Sequence, residues 1–188
     1  MKLNLGCGTR KLDGYVNVDN APLCAPDRLV DLERLPWPFE SASAEEIVLS
    51  HVLEHLGQAP ALFLGIMGEL YRVCRPDALV RITVPHPRHD DYLGDPTHVR
   101  PITLAGMELF SKRKNREWQA KGQGQTPLAL MLDIDFEIVS ANANADEPWR
   151  TRLLKRQISA EEMAHAVRSY NNVIKSVEIV LKAVKAAA

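Results

Sequence analysis

The sequence predicts an α/β fold, and three observations support this prediction. Short apolar runs typical of β-strands alternate with stretches whose apolar residues recur at helical spacing. A glycine-containing turn, Gly6-Cys7-Gly8, directly follows the first strand-like run. The chain of 188 residues is long enough to bury one core of ordinary size. We therefore expect residues 1–188 to form a single domain.

Composition and charge exclude several classes of protein. The 23 Lys and Arg residues are balanced by 24 Asp and Glu residues, and the net charge of −1 disfavours nucleic acid and anionic membranes as partners. The three cysteines are odd in number and widely spaced, which predicts neither a disulfide framework nor a paired metal site. No signal-peptide pattern or membrane-length apolar run is present. A cytoplasmic location is expected, and nothing indicates the oligomeric state.

Strands are predicted where apolar and β-branched residues run between turn-forming residues. The predicted strands are residues 2–5, 15–18, 28–30, 45–50, 79–84, 136–139 and 177–181. About ten residues separate the first two strands, which leaves little room for the helix that normally connects parallel strands. A shortened first crossover is therefore expected.

Helices are predicted from helical spacing of apolar residues and from capping residues. The clearest covers residues 61–75, and a shorter one covers residues 102–109. A third begins at the capping pattern Ser159-Ala160-Glu161-Glu162 and extends through residue 170. A helical stretch is also predicted to begin near His51. Exposed loops are predicted at residues 112–116 and 121–125, and the proline-rich residues 85–101 are predicted to be a strand-end loop, where α/β proteins commonly place their chemistry.

The first glycine turn and a later aspartate form a possible nucleoside-binding pair. Gly6 and Gly8 allow a tight turn close to a ligand, and Asp19, which ends the second strand, can accept hydrogen bonds from both hydroxyls of a ribose. Thr9-Arg10-Lys11 follows where a dinucleotide site would have a third glycine. This disfavours a pyrophosphate ligand. The pattern alone leaves open a simple turn and a helix-capping aspartate.

Further motifs follow in a characteristic order along the chain. They are Leu-Asn-Leu-Gly-Cys-Gly at residues 3–8, Asp-Leu-Glu-Arg-Leu-Pro-Trp-Pro-Phe at 31–39, Ser-His-Val-Leu-Glu-His-Leu at 50–56, Glu-Leu-Tyr-Arg-Val-Cys-Arg-Pro at 69–76 and Arg-Ile-Thr-Val-Pro at 81–85. Together they resemble the class I S-adenosylmethionine-dependent methyltransferases, in particular a small type-11-like group. The resemblance extends from Leu3 to about Pro85 and more loosely to the late strands. It implies a doubly wound, Rossmann-like methyltransferase domain whose mostly parallel sheet has one antiparallel late strand.

The same resemblance implies S-adenosyl-L-methionine as the cofactor. The implied cofactor-binding residues are Asn4, Gly6, Cys7, Gly8, Asp19, Asn20, Asp31, Leu32, Ser50 and His51. The glycine turn would lie beside the methionine and ribose, with Asp19 on the ribose hydroxyls. Asp31 would accept from the adenine amino group, while Ser50 and His51 would close over the methionine end.

Three positions depart from the pattern of the group. Asn4 replaces the usual acidic residue, Pro76-Asp77-Ala78 replaces a Pro-Gly-Gly turn, and Ala44-Glu45 replaces Phe-Asp. These departures motivate an alternative from a different class, namely a noncatalytic S-adenosylmethionine-binding or partner-binding module.

The acceptor side is expected in residues 86–126, as loops and an insertion. Residues 95–101 resemble an Asp-Pro-Thr-His-Val-Arg-Pro segment of some of these methyltransferases. Imidazole takes up a proton near neutral pH, so His98 is the candidate catalytic base. Arg100 could clamp an acidic or phosphorylated acceptor, with His86 and His89 as further substrate residues. A self-contained hydrogen-bonded loop is the alternative role for His98. No Asn-Pro-Pro-Tyr sequence occurs, which favours oxygen or leaves the accepting atom undefined. A small or carbohydrate-like acceptor is expected.

Three other motifs suggest a metal ion or RNA, but each has a simpler interpretation. Residues 51–55 satisfy His-x-x-Glu-His, the zinc signature of inverted metallopeptidases, but Pro60 limits the helix that this site needs, so a zinc peptidase is a remote alternative. His86, His89, Asp90 and Asp91 are interpreted as a solvated loop, and no metal is expected. The basic residues 112–116 are likewise interpreted as a solvated loop rather than an RNA contact.

Overall fold

A computed structural model describes residues 1–185 as a seven-stranded sheet with the strand order β3-β2-β1-β4-β5-β7-β6. The strands are β1 (Lys2–Leu5), β2 (Val16–Asp19), β3 (Arg28–Leu29), β4 (Ala44–Ser50), β5 (Cys74–Pro85), β6 (Phe136–Ala145) and β7 (Ile174–Ala183). Only β7 among these strands runs against the others, because it pairs antiparallel with both β5 and β6. The predicted sheet, mostly parallel with one antiparallel late strand, is confirmed.

The helices are one long helix and several short ones. They are α1 (Pro60–Val73), α2 (Asp90–Leu93), α3 (Leu104–Glu108), α4 (Lys112–Ala120), α5 (Leu128–Leu132), α6 (Trp149–Leu154) and α7 (Ala160–Ser169). Helix α1 buries an apolar stripe that includes Phe63, Ile66 and Leu70, and this stripe belongs to the same core as the sheet residues Leu3 and Ile47. Among residues 1–185, no helix combines the length and apolarity needed to cross a membrane.

The connection between β1 and β2 contains no helix. Instead, two buried asparagines hold the connecting loop, since Asn4 Nδ2 donates to Asn17 Oδ1 (2.9 Å) and to the carbonyl oxygen of Arg10 (2.9 Å). Asn17 Oδ1 also accepts from the backbone N–H of Leu12 at 2.8 Å. The first crossover is short, as the spacing of the two strands predicted. Side-chain amides supply the hydrogen bonds that hold it in place.

The start of β5 accommodates one departure from the pattern of the resembling group. Strand β5 begins at Cys74, earlier than predicted, and its pairing with β4 shifts register between Ala44 and Glu46. Asp77 lies in the corresponding irregular part of β5, between Cys74 and Leu79, and has φ of 61°. Aspartate is among the non-glycine residues that adopt this left-handed conformation most readily. The chain thus turns here without the Pro-Gly-Gly sequence.

Two local predictions are wrong. Residues 112–116 form the start of helix α4 rather than a loop, because Ser111 caps the helix and its basic residues pair with acids, including Arg113 with Glu137 (2.8 Å). The helical stretch predicted near His51 is only a three-residue 3-10 turn, Leu53–His55. In contrast, the predicted capping box at Ser159 is present at the start of α7.

Candidate functional site

A cavity of about 320 Å³ lies where β1, β2 and β4 end at their carboxyl edge, which is where open α/β sheets bind ligands. We call it the strand-end cavity. It is lined by Gly6, Asp19, Asn20, Val30, Asp31, Leu32, Glu33, His51, Val52, His55 and Leu56. Its volume falls at the lower end of the range for small-molecule sites.

Gly6 forms part of the cavity wall in a conformation that favours glycine. Its φ is +65°, and a Cβ added at this position would lie 2.4 Å from Cγ2 of Val52. Gly8 also has positive φ (+50°), but a Cβ there would meet no atom within 4 Å. The two glycines thus differ. Position 6 requires glycine because of its left-handed backbone and because there is no space for a Cβ, whereas position 8 requires it only because of its backbone conformation.

The carboxylate of Asp19 is held in place by the backbone. Its Oδ2 accepts from the N–H of Gly8 (2.8 Å), and its Oδ1 accepts from the N–H of Ala21 (2.9 Å). Each oxygen keeps a lone pair for a further donor. The side chain is therefore oriented in advance to accept hydrogen bonds from a pair of ligand hydroxyls.

The charge of the cavity lining is acidic. Asp31 accepts from the N–H of Glu33 (3.0 Å), and Glu33 Oε1 accepts from the N–H of Gly57 (2.7 Å), so both side chains are tied to the cavity rim. With Asp19, three carboxylates line the cavity, and none of its eleven lining residues is Lys or Arg. This charge favours a cationic ligand and opposes a polyphosphate.

Six of the ten implied cofactor-binding residues line the cavity. They are Gly6, Asp19, Asn20, Asp31, Leu32 and His51. Gly8 reaches the site through its N–H on Asp19, and the adjacent Cys7 is buried, which raises the pKa of its thiol. Ser50 is exposed at the end of β4, outside the lining. Asn4 is a correction, because its side-chain amide is buried in the crossover network and does not reach the cavity.

The predicted cofactor-binding set did not include five lining residues, Val30, Glu33, Val52, His55 and Leu56. All of these except Val30 lie in the two motifs at residues 31–39 and 50–56, so the motifs carried the signal for them. His51, in the second motif, has φ of 57°, an unusual conformation for a non-glycine residue. It turns the chain from β4 into the segment that borders the cavity.

A second group of functional side chains lies beside the cavity, and we call Glu54, His55 and His98 the histidine cluster. One carboxylate oxygen and one nitrogen of each imidazole lie within 4.8 Å of one another. The rings of His55 and His98 are 4.6 Å apart between centroids, and His98 also stacks on Tyr92 (5.1 Å). Because His55 lines the strand-end cavity, the cluster connects this cavity with the proposed acceptor loop.

The hydrogen bonds determine which nitrogen of each imidazole carries the proton when the ring is neutral. His98 Nδ1 lies 2.8 Å from the carbonyl oxygen of Tyr92, which only accepts, so Nδ1 is the donor. Thr97 Oγ1 donates to Asp95 (2.6 Å) and therefore accepts from His55 Nδ1 at 2.9 Å. Both neutral imidazoles thus keep a free lone pair on Nε2.

The zinc-peptidase alternative lacks its required geometry. That site needs both histidines of His-x-x-Glu-His on one face of a helix. Here only Leu53–His55 is helical, as a single 3-10 turn, and His51 precedes it in a left-handed conformation. Glu54 and His55 instead meet His98, which comes from the segment that follows β5.

The three predicted substrate residues are not brought together. Arg100 lines an apolar cavity of about 340 Å³ beside Phe63, with its guanidinium 4.4 Å from that ring, whereas His86 lines a different cavity of about 450 Å³. Burial, with Arg88 nearby, lowers the pKa of His86. His89 is a correction: it is buried, and its Nε2 pairs with Asp146 at 2.9 Å, so its ring holds the fold together rather than facing a ligand.

Comparisons with known proteins agree with this geometry at the level of the fold. No family model and no curated protein sequence matches the chain. Among solved structures, it is similar to an S-adenosylmethionine-dependent methyltransferase from Archaeoglobus fulgidus (TM-score 0.64, 15% identity, 96% of this chain and 85% of that chain). It is also similar to such a methyltransferase from Methanosarcina mazei (TM-score 0.54, 14% identity, 98% and 92%).

A third similar structure is a [4+2]-cyclase (TM-score 0.55, 15% identity, 98% of this chain and 75% of that chain). At such low identity, these likenesses show a shared Rossmann-like methyltransferase fold. The fold also occurs in a protein described as a cyclase, so the fold does not by itself define the reaction. The function has to be inferred from the site.

Proposed function

We propose that the chain is an S-adenosylmethionine-dependent methyltransferase that acts on a small or carbohydrate-like acceptor at oxygen. The observation that carries the proposal is the strand-end cavity itself. It combines a glycine turn, a backbone-oriented aspartate at the end of β2 and an acidic lining. S-adenosylmethionine offers a matching set of groups, namely ribose hydroxyls for Asp19 and positively charged sulfonium and ammonium groups for the acidic lining.

Methyl transfer to oxygen requires positioning and the removal of one proton. The acceptor oxygen attacks the methyl carbon in line with the sulfur, the C–S bond breaks with its electron pair on sulfur, and the acceptor proton must leave. His98 is the proposed base because its ring lies against His55, which lines the cavity, and because Nδ1 is anchored on the carbonyl of Tyr92, which leaves the Nε2 lone pair to take a proton. Tyr92 stacks on the same imidazole and limits its rotation.

The proposal extends to the surroundings of the site. Residues 1–188 act as one cytoplasmic domain, and residues 86–126 receive the acceptor. Arg100 and His86 line two apolar cavities on this side, and both cavities include Ile102 and Thr103 in their walls. An acceptor in either cavity would contact these two residues.

A noncatalytic S-adenosylmethionine-binding module is the second candidate, and one observation favours it. Where methyltransferases of the resembling group have an acidic residue, Asn4 is buried and engaged with Asn17. The ammonium group of the ligand would then depend on the remaining carboxylates of the cavity. Binding and turnover must therefore be measured separately.

The experiment is calorimetric titration with S-adenosylmethionine, followed by a screen of small hydroxylated acceptors. Asp19→Ala should weaken binding by ~1–3 kcal/mol, since it removes charge-assisted hydrogen bonds. Asp13→Ala is the matched control, because Asp13 is an exposed aspartate of the same crossover loop and lies outside the cavity lining. His98→Ala should lower turnover by about 10²- to 10⁴-fold while preserving cofactor affinity.

Each of these measurements has a result that would contradict part of the proposal. Unchanged affinity in Asp19→Ala would exclude the ribose role of this carboxylate, and no binding by the unmodified protein would exclude the methyltransferase proposal. Retained turnover in His98→Ala would remove the base assignment. Binding without methylation of any acceptor would support the noncatalytic module.

A further inference from the structure

The histidine cluster contains a buried carboxylate that accepts no hydrogen bond from residues 1–185. Glu54 is 0% exposed, and neither of its carboxylate oxygens has a hydrogen-bond partner within the described part of the chain. A buried and unpaired carboxylate is strongly unfavourable in a folded protein unless a cation or donor compensates it. This unsatisfied group lies in contact range of two imidazoles, so the missing partner is expected at that point.

We propose that Glu54, His55 and His98 bind one divalent transition-metal ion of the zinc type. Two imidazole nitrogens and one carboxylate oxygen are a known ligand set for zinc, with a fourth position left open. The ligand atoms lie within 4.8 Å of one another. Tetrahedral zinc separates its ligand atoms by ~3.4 Å, so small side-chain rotations close the site.

The neighbours of the imidazoles prepare them as ligands. A metal-bound imidazole commonly donates its other N–H to an oxygen, which fixes the ring and its tautomer. His98 does so to the carbonyl of Tyr92, and His55 does so to the hydroxyl of Thr97. Thr97 is oriented in turn by Asp95. Both Nε2 lone pairs are therefore available before any ion binds.

Arg100 is the nearby cation that could otherwise compensate Glu54. Its backbone N–H donates to the backbone carbonyl of Glu54 at 3.2 Å. Its guanidinium, however, donates to the carbonyl of Gly57 (2.9 Å) and covers the ring of Phe63, and no Lys or Arg among residues 1–185 pairs with Glu54 within 4 Å. The half-exposed imidazole of His51 does approach the carboxylate, with Nδ1 3.5 Å from Oε1, but makes no hydrogen bond to it. The carboxylate thus remains available to a metal ion.

This site was not expected from the sequence, because His98 is remote from His55 along the chain. The proposal is also independent of methyl transfer, since it concerns the protein without cofactor or acceptor. A bound metal ion would occupy the Nε2 lone pair of His98, which is the same lone pair that would take the proton from the acceptor hydroxyl. The role of His98 as a base therefore belongs to the metal-free protein.

The test is a titration of chelator-treated protein with zinc chloride by calorimetry, repeated with cobalt(II) to record its visible absorption. We expect one ion per chain and at least tenfold weaker binding in Glu54→Gln, His55→Ala and His98→Ala. His165→Ala is the matched control, because His165 is an exposed histidine on α7 and should leave binding unchanged. Thr97→Val should weaken binding about 10- to 100-fold without removing a ligand.

Stability gives a second readout that distinguishes a ligand from a structural residue. Glu54→Gln should raise the melting temperature of the metal-free protein, since it removes a buried charge, and should abolish the further increase caused by zinc. The proposal is overturned if the unmodified protein does not bind zinc, if the three variants bind zinc as tightly as the unmodified protein, or if Glu54→Gln lowers the metal-free melting temperature while zinc still binds. None of these results depends on S-adenosylmethionine affinity, which is measured separately.

Discussion

Gly6 and Val52 meet at the wall of the strand-end cavity, and their contact shows how closely the backbone of β1 approaches the segment after β4. A Cβ on Gly6 would lie 2.4 Å from one methyl group of Val52 and 2.7 Å from the other. Such a close approach cannot be relieved by rotation of Val52 alone, because both of its methyl groups are involved. Two elements that are distant in sequence therefore share one wall of the site.

We predict different effects for alanine at the two glycines of the turn. Gly8→Ala should cost ~1–2 kcal/mol of unfolding free energy, because only the left-handed backbone becomes strained. Gly6→Ala should cost more, by a further ~1–3 kcal/mol from overpacking against Val52, and should also weaken S-adenosylmethionine binding. Denaturant unfolding and calorimetry measure both quantities.

The double variant Gly6→Ala/Val52→Ala separates the backbone strain at position 6 from the overpacking against Val52. Removing the valine methyl groups should recover part of the overpacking cost, which would appear as a coupling free energy between the two sites. Equal effects of Gly6→Ala and Gly8→Ala, with no coupling to Val52, would contradict the close approach.

At the scale of the elements, α1 is fastened to the segment that precedes β4 by one ion pair. Glu69 accepts two hydrogen bonds from the Arg72 guanidinium (2.6 and 2.7 Å) and one from the N–H of Trp37 (2.6 Å). Arg72 also donates to the carbonyls of Trp37 (3.1 Å) and Phe39 (2.8 Å). This pair therefore holds a loop onto the helix that covers the sheet.

We predict that Glu69→Gln destabilises the fold by ~1–3 kcal/mol at neutral pH, because it removes hydrogen bonds to a charged, buried group. The hydrogen bonds from Arg72 lower the pKa of Glu69 in the folded state. The stabilisation is therefore complete above the unfolded carboxyl pKa of ~4.3 and is lost as the pH falls through the lower folded value.

The pH dependence of denaturant unfolding measures this effect. The difference between the unmodified protein and Glu69→Gln should shrink at acid pH. Glu117→Gln, which removes the exposed partner of Arg113, is the control and should change stability by about 0.5 kcal/mol or less. A difference that does not depend on pH would contradict the charged state of Glu69.

The elements that the sequence predicted well are those whose signal is local. Strand β1 and the capping box of α7 depend on patterns within a few residues, and both are confirmed. Helix α4 was missed because its mean composition is polar and its stability comes from the Ser111 cap and from pairs with distant acids such as Glu137. The role of Asn4 was missed for the same reason, since its partner Asn17 belongs to another strand.

The candidate site divides in a similar way. Gly6, Asp19 and Asp31 follow strand ends, and parallel strands bring such ends to one edge of the sheet, so their proximity was predictable. The contact between Glu54 and His98 was not predictable, because it depends on how the loop after β5 folds back over the turn after β4. No spacing rule in the sequence encodes that contact.

At the scale of the whole molecule, the acidic strand-end cavity and the helix-free first crossover favour the same kind of ligand. A helix beginning after β1 would point its N-terminal N–H groups at the cavity and favour phosphate. In this chain residues 6–15 form no helix, and the lining contains three carboxylates without a Lys or Arg. The overall architecture thus selects a nucleoside with positive charge over a nucleotide.

We therefore predict that S-adenosylmethionine stabilises the whole fold and that ATP and NAD do not. At a ligand concentration of 100 times the dissociation constant, the added stability is ~2.7 kcal/mol. For a domain of this size, 1 kcal/mol shifts the melting temperature by ~2–4 °C, so a rise of ~5–10 °C is expected in differential scanning fluorimetry. Asp19→Ala should show little of this rise at the same ligand concentration. An equal or larger shift with ATP would contradict the assignment of the acidic cavity to a cationic nucleoside.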